Sequence, residues 1–435
     1  MYLWKVRLLY AREDGTIYDD PRWEAAGRIG FEPIAASRVE KWIPLPEGSK
    51  IFYLPGRRPW GVDPKGRLRV YESGYAVAAF VAPAHTQLAI AGYAREPDAP
   101  TLPLHAYSAV AWHRGRFYVA ATRIDPSPRQ DIQTYDFEKM ERGKEKLLRR
   151  FPDNRLVTHL MHNCVDRYCC PAARNLALGR WECPLPTSPA CNAACIGCIS
   201  LQEPHESPIP STQERISFRP APEEIAELAI YHLKTAPDPI VSFGQGCEGE
   251  PLLVWRTIAE AVRLIRHATT RGIINVNTNG AWPDAIAALA EAGVDSFRIS
   301  LNSAQPEWYH RYYRPRNYTF DMVVESIRRA VSLGKWVSIN YFTLPGFTDQ
   351  PDEIKALHHL LHHTRLHMIQ WRNFNIDPDW YARRMNITPE SLQKPYGILR
   401  LMKSLKRTFP YLTYGYFNPP KWLIQKRKPL APQPA

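Results

Sequence analysis

Three cysteines of this chain, Cys191, Cys195 and Cys198, lie close enough in sequence to bind one metal centre. Their spacing is C-x3-C-x2-C, and three thiolates on such a short loop can each bind one iron of a cube of iron and sulfide. The loop has no fourth cysteine, so one iron would have no protein ligand. An uncovered metal can bind a small-molecule chelate, as the open position of a catalytic metal site does. The loop therefore predicts a [4Fe–4S] cluster with one open iron.

A glycine-rich acidic loop follows the apolar run Ile240–Phe243. It is the second segment whose residues could bind a ligand or take part in catalysis. It reads Gly244-Gln245-Gly246-Cys247-Glu248-Gly249-Glu250-Pro251. Glycines let the backbone approach a ligand closely, and a carboxylate complements an ammonium group. The same letters also fit a simple turn that an acid caps before a helix.

Alternating strands and helices surround these motifs from Pro184 onwards. The strand candidates are Ile240–Phe243, Ile273–Asn277, Ser296–Leu301, Trp336–Phe342 and Met368–Trp371, with a short strand just before Cys191. Helical stretches separate them, which is typical of parallel sheets and barrels with right-handed crossovers. Six such units are too few for a closed eight-fold barrel. We therefore predict an α/β fold with a partial (β/α)6 TIM-like barrel.

The remaining segments predict further domains. The N-terminal part has strand-like runs such as Ile51–Leu54 and Leu68–Tyr71, and a helix Pro389–Thr408 and an aromatic strand Tyr411–Phe417 follow the barrel. The predicted division is a β-rich N-terminal domain (1–150), a cysteine-containing connector (151–186), the barrel (187–376) and a short α/β C-terminal extension (377–435).

The motifs together resemble the radical S-adenosylmethionine (radical SAM) superfamily. The cysteine loop matches its signature, Gly249-Glu250-Pro251 is similar to its methionine-binding loop, and the resemblance runs from about Cys191 to Asn375. It implies that S-adenosylmethionine chelates the open iron. An electron from the cluster then cleaves a carbon–sulfur bond, and the resulting 5′-deoxyadenosyl radical abstracts hydrogen from a substrate. Gly197 is a departure, because the family often has an aromatic residue there.

The resemblance also assigns roles to polar residues at the strand ends, where βα barrels assemble their sites. Gly249 and Glu250 would hold the methionine ammonium. Ser300 and Asn302 would contact the ribose or the carboxylate, with Asn279 and Asn340 nearby. Each of these Asn and Ser residues could equally be a turn former.

Five further cysteines lie outside the loop. Cys164, Cys169, Cys170 and Cys183 could hold a second [4Fe–4S] cluster or a structural zinc ion, with one of the adjacent pair left free. Cys247 could be a fourth ligand, a thiol that faces the cofactor as a catalytic candidate, or a small buried residue. The absence of cysteines after Cys247 argues against the C-terminal auxiliary-cluster domain of SPASM-type maturases.

The formal net charge of +13 favours acidic partners: nucleic acid, an anionic substrate or an acidic electron donor. The resemblance requires such a low-potential donor, a flavodoxin or ferredoxin. Crowding of all eight cysteines between Cys164 and Cys247 predicts a metal site in a reducing, cytoplasmic compartment rather than secreted disulfides. The uncharged stretch 73–94 carries Pro83 and His85 at its middle, so we expect two strands and no membrane segment.

Three functions therefore compete at this stage. The leading one is an oxygen-sensitive radical SAM enzyme, of unresolved reaction class, that acts on a peptide, a protein or a small metabolite. The second is a radical SAM enzyme that modifies RNA, which the positive charge favours. The third is a non-catalytic zinc or iron–sulfur binding protein.

Overall fold

A parallel sheet of seven strands forms the centre of the C-terminal half of the molecule. The computed structural model describes residues 5–426. The strands are β1 (Glu182–Pro184), β2 (Ile240–Phe243), β3 (Ile273–Thr278), β4 (Ser296–Leu301), β5 (Trp336–Thr343), β6 (Met368–Asn373) and β7 (Thr413–Gly415). They lie in the sheet in the order of the chain, and every neighbouring pair is parallel. The strand runs are apolar and mostly buried, as expected for a parallel sheet that helices cover.

Helices connect the strands and pack their apolar faces on the sheet. From the first crossover onwards they are Pro222–Thr235, Trp255–Ala268, Pro283–Ala292, Pro306–Tyr313, Phe320–Ser332, Pro351–Thr364, Pro378–Met385, Ile398–Thr408 and Lys421–Lys426, with 3-10 turns at Pro251–Val254 and Pro389–Ser391. Several begin with proline at the first position, where the missing N–H costs nothing. The predicted α/β class with a parallel sheet is confirmed.

Two details of the prediction for the C-terminal part are wrong. The aromatic strand was assigned to the extension, but Thr413–Gly415 pairs with β6 and makes the sheet seven-stranded. The predicted helix Pro389–Thr408 is broken into a 3-10 turn and the helix Ile398–Thr408. The break has a local cause, because Pro395 has no N–H to donate and Gly397 has a φ of +101°, in the left-handed region.

The N-terminal part is rich in β-structure, as predicted. Twelve strands form one sheet with antiparallel pairing: Arg7–Ala11, Ile17–Ile29, Glu32–Ala35, Ile43–Pro44, Lys50–Leu54, Arg57–Val62, Leu68–Val70, Tyr75–Phe80, Ile90–Ala91, Tyr93–Arg95, Ser108–His113 and Arg116–Val119. His85–Gln87 and Ala121–Arg123 form a separate ribbon. The stretch 73–94 thus contains four short strands instead of two. Among the described residues, no helix has the length and apolarity to cross a membrane.

A helical connector joins the two parts. Helices Phe137–Arg150, Arg155–His159 and Pro171–Ala177 flank a π-helix at Leu160–Arg167. Its apolar residues belong to the same core as the barrel.

The N-terminal part contacts the carboxyl ends of β5 and β6 through its separate ribbon, and its large sheet contacts the segment after β6. The Thr86 hydroxyl donates to the carbonyl of Trp371 at 2.8 Å, and the Gln87 side chain donates to the carbonyl of Thr343 at 3.1 Å. A fully buried ion pair joins Arg57 and Asp377 at 2.7 Å. The carboxyl ends of parallel strands are where α/β folds place their sites, so this contact forms a roof over the expected position of the site.

Candidate metal and cofactor site

A cavity of about 480 Å³ lies at the carboxyl ends of the barrel strands. Its wall includes the three cysteines of the loop, the acidic loop after β2, and polar residues at the ends of β3, β4, β5 and β6. The roof contributes Phe80, Val81 and Ala106. The cavity is therefore bounded by both parts of the molecule.

The cysteine loop has no regular structure, and the segment after helix Pro306–Tyr313 holds it in place. The amides of Ala194 and Ile196 donate to the carbonyls of Tyr313 and Tyr312 at 2.9 and 3.1 Å. The Arg314 guanidinium donates back to the carbonyl of Ala194 at 2.5 Å. The Tyr-Tyr-Arg-Pro stretch thus acts as a backbone template for the loop.

The three thiols of this loop fit the predicted cluster. Cys191, Cys195 and Cys198 line the cavity, and none of the other five cysteines does within the described chain. Burial raises the pKa of Cys191 to about 11 and that of Cys195 well above its usual range, so metal binding must displace protons. The Arg215 guanidinium lies 3.7 Å from the Sγ of Cys198. Three donors without a fourth suit a [4Fe–4S] cluster with one open iron.

The departure at Gly197 has a structural counterpart. A Cβ built at Gly197 would lie 2.4 Å from Cδ1 of Ile376 and 3.0 Å from the Tyr312 hydroxyl. The space that an aromatic side chain would take at this position is therefore filled by Ile376 and Tyr312.

Glu250 and Gly249 line the same cavity, and their backbone amides donate to the segment just before Cys191. The Glu250 carboxylate accepts hydrogen bonds from the Asn279 amide at 2.8 Å, from the Leu252 amide at 3.0 Å and from the Thr278 hydroxyl. Burial nevertheless raises the pKa of Glu250 to about 7, so a cation in the cavity would find a poorly solvated carboxylate. A Cβ at Gly249 would lie 1.9 Å from the carbonyl oxygen of Ala190, so only glycine lets the two loops meet.

Glu248 has a role that the sequence analysis missed. Its buried carboxylate accepts from the amides of Thr187 at 2.7 Å and Ser188 at 3.0 Å, on the segment that leads into the cysteine loop. It therefore links the acidic loop to the cysteine loop. The sequence shows only that Glu248 is an acidic residue in a glycine-rich loop. The same is true of Glu250, so the sequence could not distinguish the roles of the two.

Three of the four polar residues predicted at the strand ends line the cavity, and the fourth does not. Asn279, Ser300 and Asn340 line the cavity, and the Oδ1 of Asn340 is buried with no hydrogen-bond partner among the described residues. Asn279 also donates from Nδ2 to the Asn192 side chain at 2.7 Å, which ties β3 to the cysteine loop. Asn302 does not line the cavity, because its Nδ2 donates to the Trp308 carbonyl at 3.0 Å and fixes the following helix.

The other cysteines lie away from the cavity. The thiol of Cys247 is buried and lies 3.8 Å from the thiol of Cys164. Cys183 is fully buried in β1, Cys170 is partly buried, and Cys169 is exposed. The structure therefore separates Cys247 from the expected cofactor position.

Two arginines inside the barrel were also missed. Arg298 on β4 donates to the Gln370 side chain at 3.1 Å, and Arg372 on β6 lies 4.1 Å above the Tyr416 ring. Both line the cavity. Burial and the charge of Arg372 lower the pKa of Arg298 to about 9. Arg298 and Ser300 are two residues apart and share a strand face, so alternation along β4 was the signal that could have revealed it.

The comparisons with known proteins agree with this geometry. The profile of the radical SAM superfamily matches residues 185–360. No curated protein matches the chain.

Several solved structures are similar at low identity. SuiB of Streptococcus suis, bound to S-adenosylmethionine, is 15% identical over 53% of this chain and 49% of SuiB, with a TM-score of 0.36. A radical SAM methyltransferase from Sphaerobacter thermophilus is 16% identical over 53% of this chain and 65% of the other, with a TM-score of 0.36. Methylornithine synthase is 15% identical over 62% and 78%, with a TM-score of 0.37.

The match to SuiB spans about half the length of that protein. At these TM-scores the structures identify no substrate, and the family match carries the assignment. Residues 185–360 match the radical SAM superfamily, and this part of the chain is a radical SAM domain.

Proposed function

We propose that this enzyme binds a [4Fe–4S] cluster through Cys191, Cys195 and Cys198 and abstracts hydrogen from a small substrate, or from a single side chain, that carries an anionic group. When bound, the cluster supplies the electron that cleaves S-adenosylmethionine into methionine and a 5′-deoxyadenosyl radical. The observation that carries the proposal is one cavity of about 480 Å³ that these three thiols and Glu250 line together.

The chain's own residues orient the cofactor within this cavity. Glu250 accepts a hydrogen bond from the methionine ammonium and keeps its contacts with the amides of Leu252, in the turn that follows it, and Asn279, after β3. Asn340 offers a buried oxygen that no described residue satisfies, which suits a hydroxyl donor such as a ribose. Ser300 lies on the neighbouring strand and opens to the same cavity.

The two interior arginines support an anionic substrate. Arg298 and Arg372 extend into the cavity from β4 and β6, away from the glutamates of the acidic loop. The two guanidinium groups repel each other, the buried Glu182 carboxyl attracts both of them, and an anion bound in the cavity would add to this attraction. Guanidinium groups also match carboxylate and phosphate oxygens geometrically.

The size of the cavity supports a small substrate group. A volume of about 480 Å³ lies within the usual range for small-molecule sites, and S-adenosylmethionine must share it. The RNA alternative draws on the net charge of +13 and on the similarity of the Gly249-Glu250-Pro251 loop to that of radical RNA methylases.

A basic rim on the outer side of the cysteine loop supports docking of an acidic electron donor. A small recess there is lined by Arg215, Arg314, Arg316 and Arg384, against only Glu203 and Glu206, and it reaches all three cysteines. Flavodoxins and ferredoxins are the donors that the sequence analysis expects. Complementary charge at this rim would increase their association rate at low salt.

Anaerobic reconstitution tests the proposed function. The purified chain should bind about four irons and four sulfides and should release 5′-deoxyadenosine when dithionite and S-adenosylmethionine are added. A colourless protein without inorganic sulfide, or one that holds iron but never cleaves S-adenosylmethionine, would overturn it.

Variants at the interior arginines test the substrate class. Arg298→Gln and Arg372→Gln should raise the KM for an anionic substrate while cleavage of S-adenosylmethionine under dithionite continues. Arg407→Gln, at an exposed position of helix Ile398–Thr408, is the matched control. Unchanged KM values in both variants would remove the arginines from the substrate site and leave the cluster assignment intact.

A further inference from the structure

A second group of metal-ligating side chains lies buried outside the cavity. Ligand atoms of His159, Cys164 and Cys247 all lie within 4.8 Å of one another. The connector supplies the first two, and the acidic loop after β2 supplies the third.

The distance between the two sulfurs indicates the kind of centre. The Sγ atoms of Cys164 and Cys247 are 3.8 Å apart. Two thiolates on one tetrahedral zinc ion, with Zn–S bonds of about 2.3 Å, lie about 3.8 Å apart. In a [4Fe–4S] cluster each thiolate binds a different iron, so its sulfurs cannot be this close. The geometry matches a single ion.

The π-helix explains why His159 and Cys164 face the same point. An α-helix turns about 100° per residue, so residues five apart would point about 140° away from each other. In a π-helix the hydrogen bonds link residues five apart, which brings such residues to one side. The π-helix Leu160–Arg167 begins directly after His159 and contains Cys164. This unusual local geometry thus has a specific consequence for ligand placement.

The histidine ring is prepared for a metal. Its Nδ1 lies 3.1 Å from the side-chain amide of Asn163, which fixes the ring orientation. Its Nε2 is buried, and the Cys247 thiol lies within reach of the ring. A histidine that binds a metal through Nε2 carries its proton on Nδ1 and donates it, so metal binding requires the Asn163 amide to turn its oxygen, instead of its nitrogen, towards the ring.

Cys170 is a candidate for a fourth ligand, although its thiol lies outside the group of three whose ligand atoms are within 4.8 Å of one another. Its amide donates to the carbonyl of Cys164 at 2.7 Å, so the two residues are adjacent across the turn that ends the π-helix. Burial, with a smaller effect of the nearby Cys247 thiol, raises the pKa of Cys170 to about 11. Its sequence neighbour Cys169 is exposed and has its thiol near the Asp166 carbonyl. The structure thus distinguishes the two adjacent cysteines.

We propose that His159, Cys164, Cys170 and Cys247 bind one zinc ion as a structural Cys3His site. Three cysteines and a histidine are one of the usual ligand sets of such sites. Cys247 lies directly before Glu248 in the acidic loop, so the ion would tie the connector to this loop. Glu248 holds the segment that leads into the cysteine loop, and Glu250 lines the cavity. The site does not depend on the proposed reaction, and Cys169 and Cys183 take no part in it.

Metal analysis of the full chain tests the site. Protein produced with both iron and zinc, and purified anaerobically, should contain one zinc per chain in addition to the iron of the cluster. X-ray absorption at the zinc edge should show sulfur ligands at about 2.3 Å and a nitrogen ligand. This measurement uses the unmodified protein and needs no catalytic turnover.

Variants then identify the ligands. Cys164→Ser and Cys247→Ser should lose the zinc, His159→Ala should bind it more weakly, and Cys169→Ser should retain it fully. About eight irons per chain and no zinc would show a second cluster instead. A Cys164–Cys247 disulfide in metal-free protein, or zinc retained by Cys247→Ser, would equally overturn the site.

Discussion

The two cysteine groups of this enzyme differ in sequence separation, in burial and in what lies beside them. Cys191, Cys195 and Cys198 sit within eight consecutive residues and open onto the cavity. Cys164 and Cys247 are 83 residues apart, are buried, and have thiols 3.8 Å from each other. We call Cys191, Cys195 and Cys198 the open group, because a ligand in the cavity can reach them. We call Cys164 and Cys247, with His159, the closed group, because buried side chains surround them. Both groups consist mainly of cysteines, so their access to the cavity, and not their residue type, distinguishes them.

The largest expected effect comes from breaking the open group. Cys195→Ala removes one ligand of the cluster, and formation of 5′-deoxyadenosine under dithionite should fall below detection. The zinc content should stay at one per chain, because the closed group is untouched. Chromatographic quantification of 5′-deoxyadenosine together with metal analysis checks both statements. Undiminished turnover would contradict the ligand assignment.

Breaking the closed group should act on stability first. Cys247→Ser removes a buried ligand, and the free energy of unfolding should fall by at least about 2 kcal/mol, because the partners it leaves are buried and unsatisfied. Thermal unfolding of the zinc-loaded protein measures this loss. Cys169→Ser, at an exposed thiol, should leave the unfolding midpoint unchanged. A midpoint equal to that of the unmodified chain would mean that Cys247 contributes only packing.

A smaller effect is expected three residues further along the same loop. Glu250→Gln removes one charge-assisted hydrogen bond to the methionine ammonium, so affinity for S-adenosylmethionine should fall by roughly 1.5–3 kcal/mol. Equilibrium binding to the reconstituted enzyme measures it, with the exposed Glu223→Gln as control. Zinc should be retained. Unchanged affinity would place Glu250 outside the cofactor site, and loss of zinc would show that the two faces of the loop are not independent.

The smallest effect concerns the outer side of the open group. Arg316→Glu reverses an exposed charge on the basic rim, so reduction by an acidic flavodoxin should slow several-fold at low salt, and the difference should shrink as salt rises. Reduction by dithionite should not change. Stopped-flow bleaching of the cluster measures both rates, with Arg407→Glu as the control. Equal slowing with the two reductants would indicate a damaged cluster instead of a docking effect.

Much of the barrel could be predicted from local patterns. Ile240–Phe243 and Ser296–Leu301 begin and end at the predicted residues, because apolar runs of that length between turn signals have few alternatives. The predicted helix Pro389–Thr408 was wrong, because Pro395 and Gly397 interrupt it. Both residue types disfavour a continuous helix, so the interruption could have been predicted. The seventh strand failed for a different reason: pairing with β6 is a long-range event that Thr413–Gly415 does not encode locally.

The site divides in the same way. Glu250 and Asn279 were predicted from their positions at strand ends, and both line the cavity. Asn302 lies outside it, because its side chain donates to the helix that follows. Glu248 and Arg298 were missed, since their partners, Thr187 and Gln370, lie about 60 to 70 residues away.

The sequence was enough to predict a metal-binding loop at Cys191, Cys195 and Cys198 and the class of fold, because both predictions depend on spacings within a few residues and on repeated local periodicity. Only the tertiary structure decided that Cys247 meets Cys164 and His159, that an N-terminal sheet roofs the cavity, and that two arginines lie inside it. These arrangements depend on which distant segments pack together, and packing is a property of the whole core rather than of any short stretch.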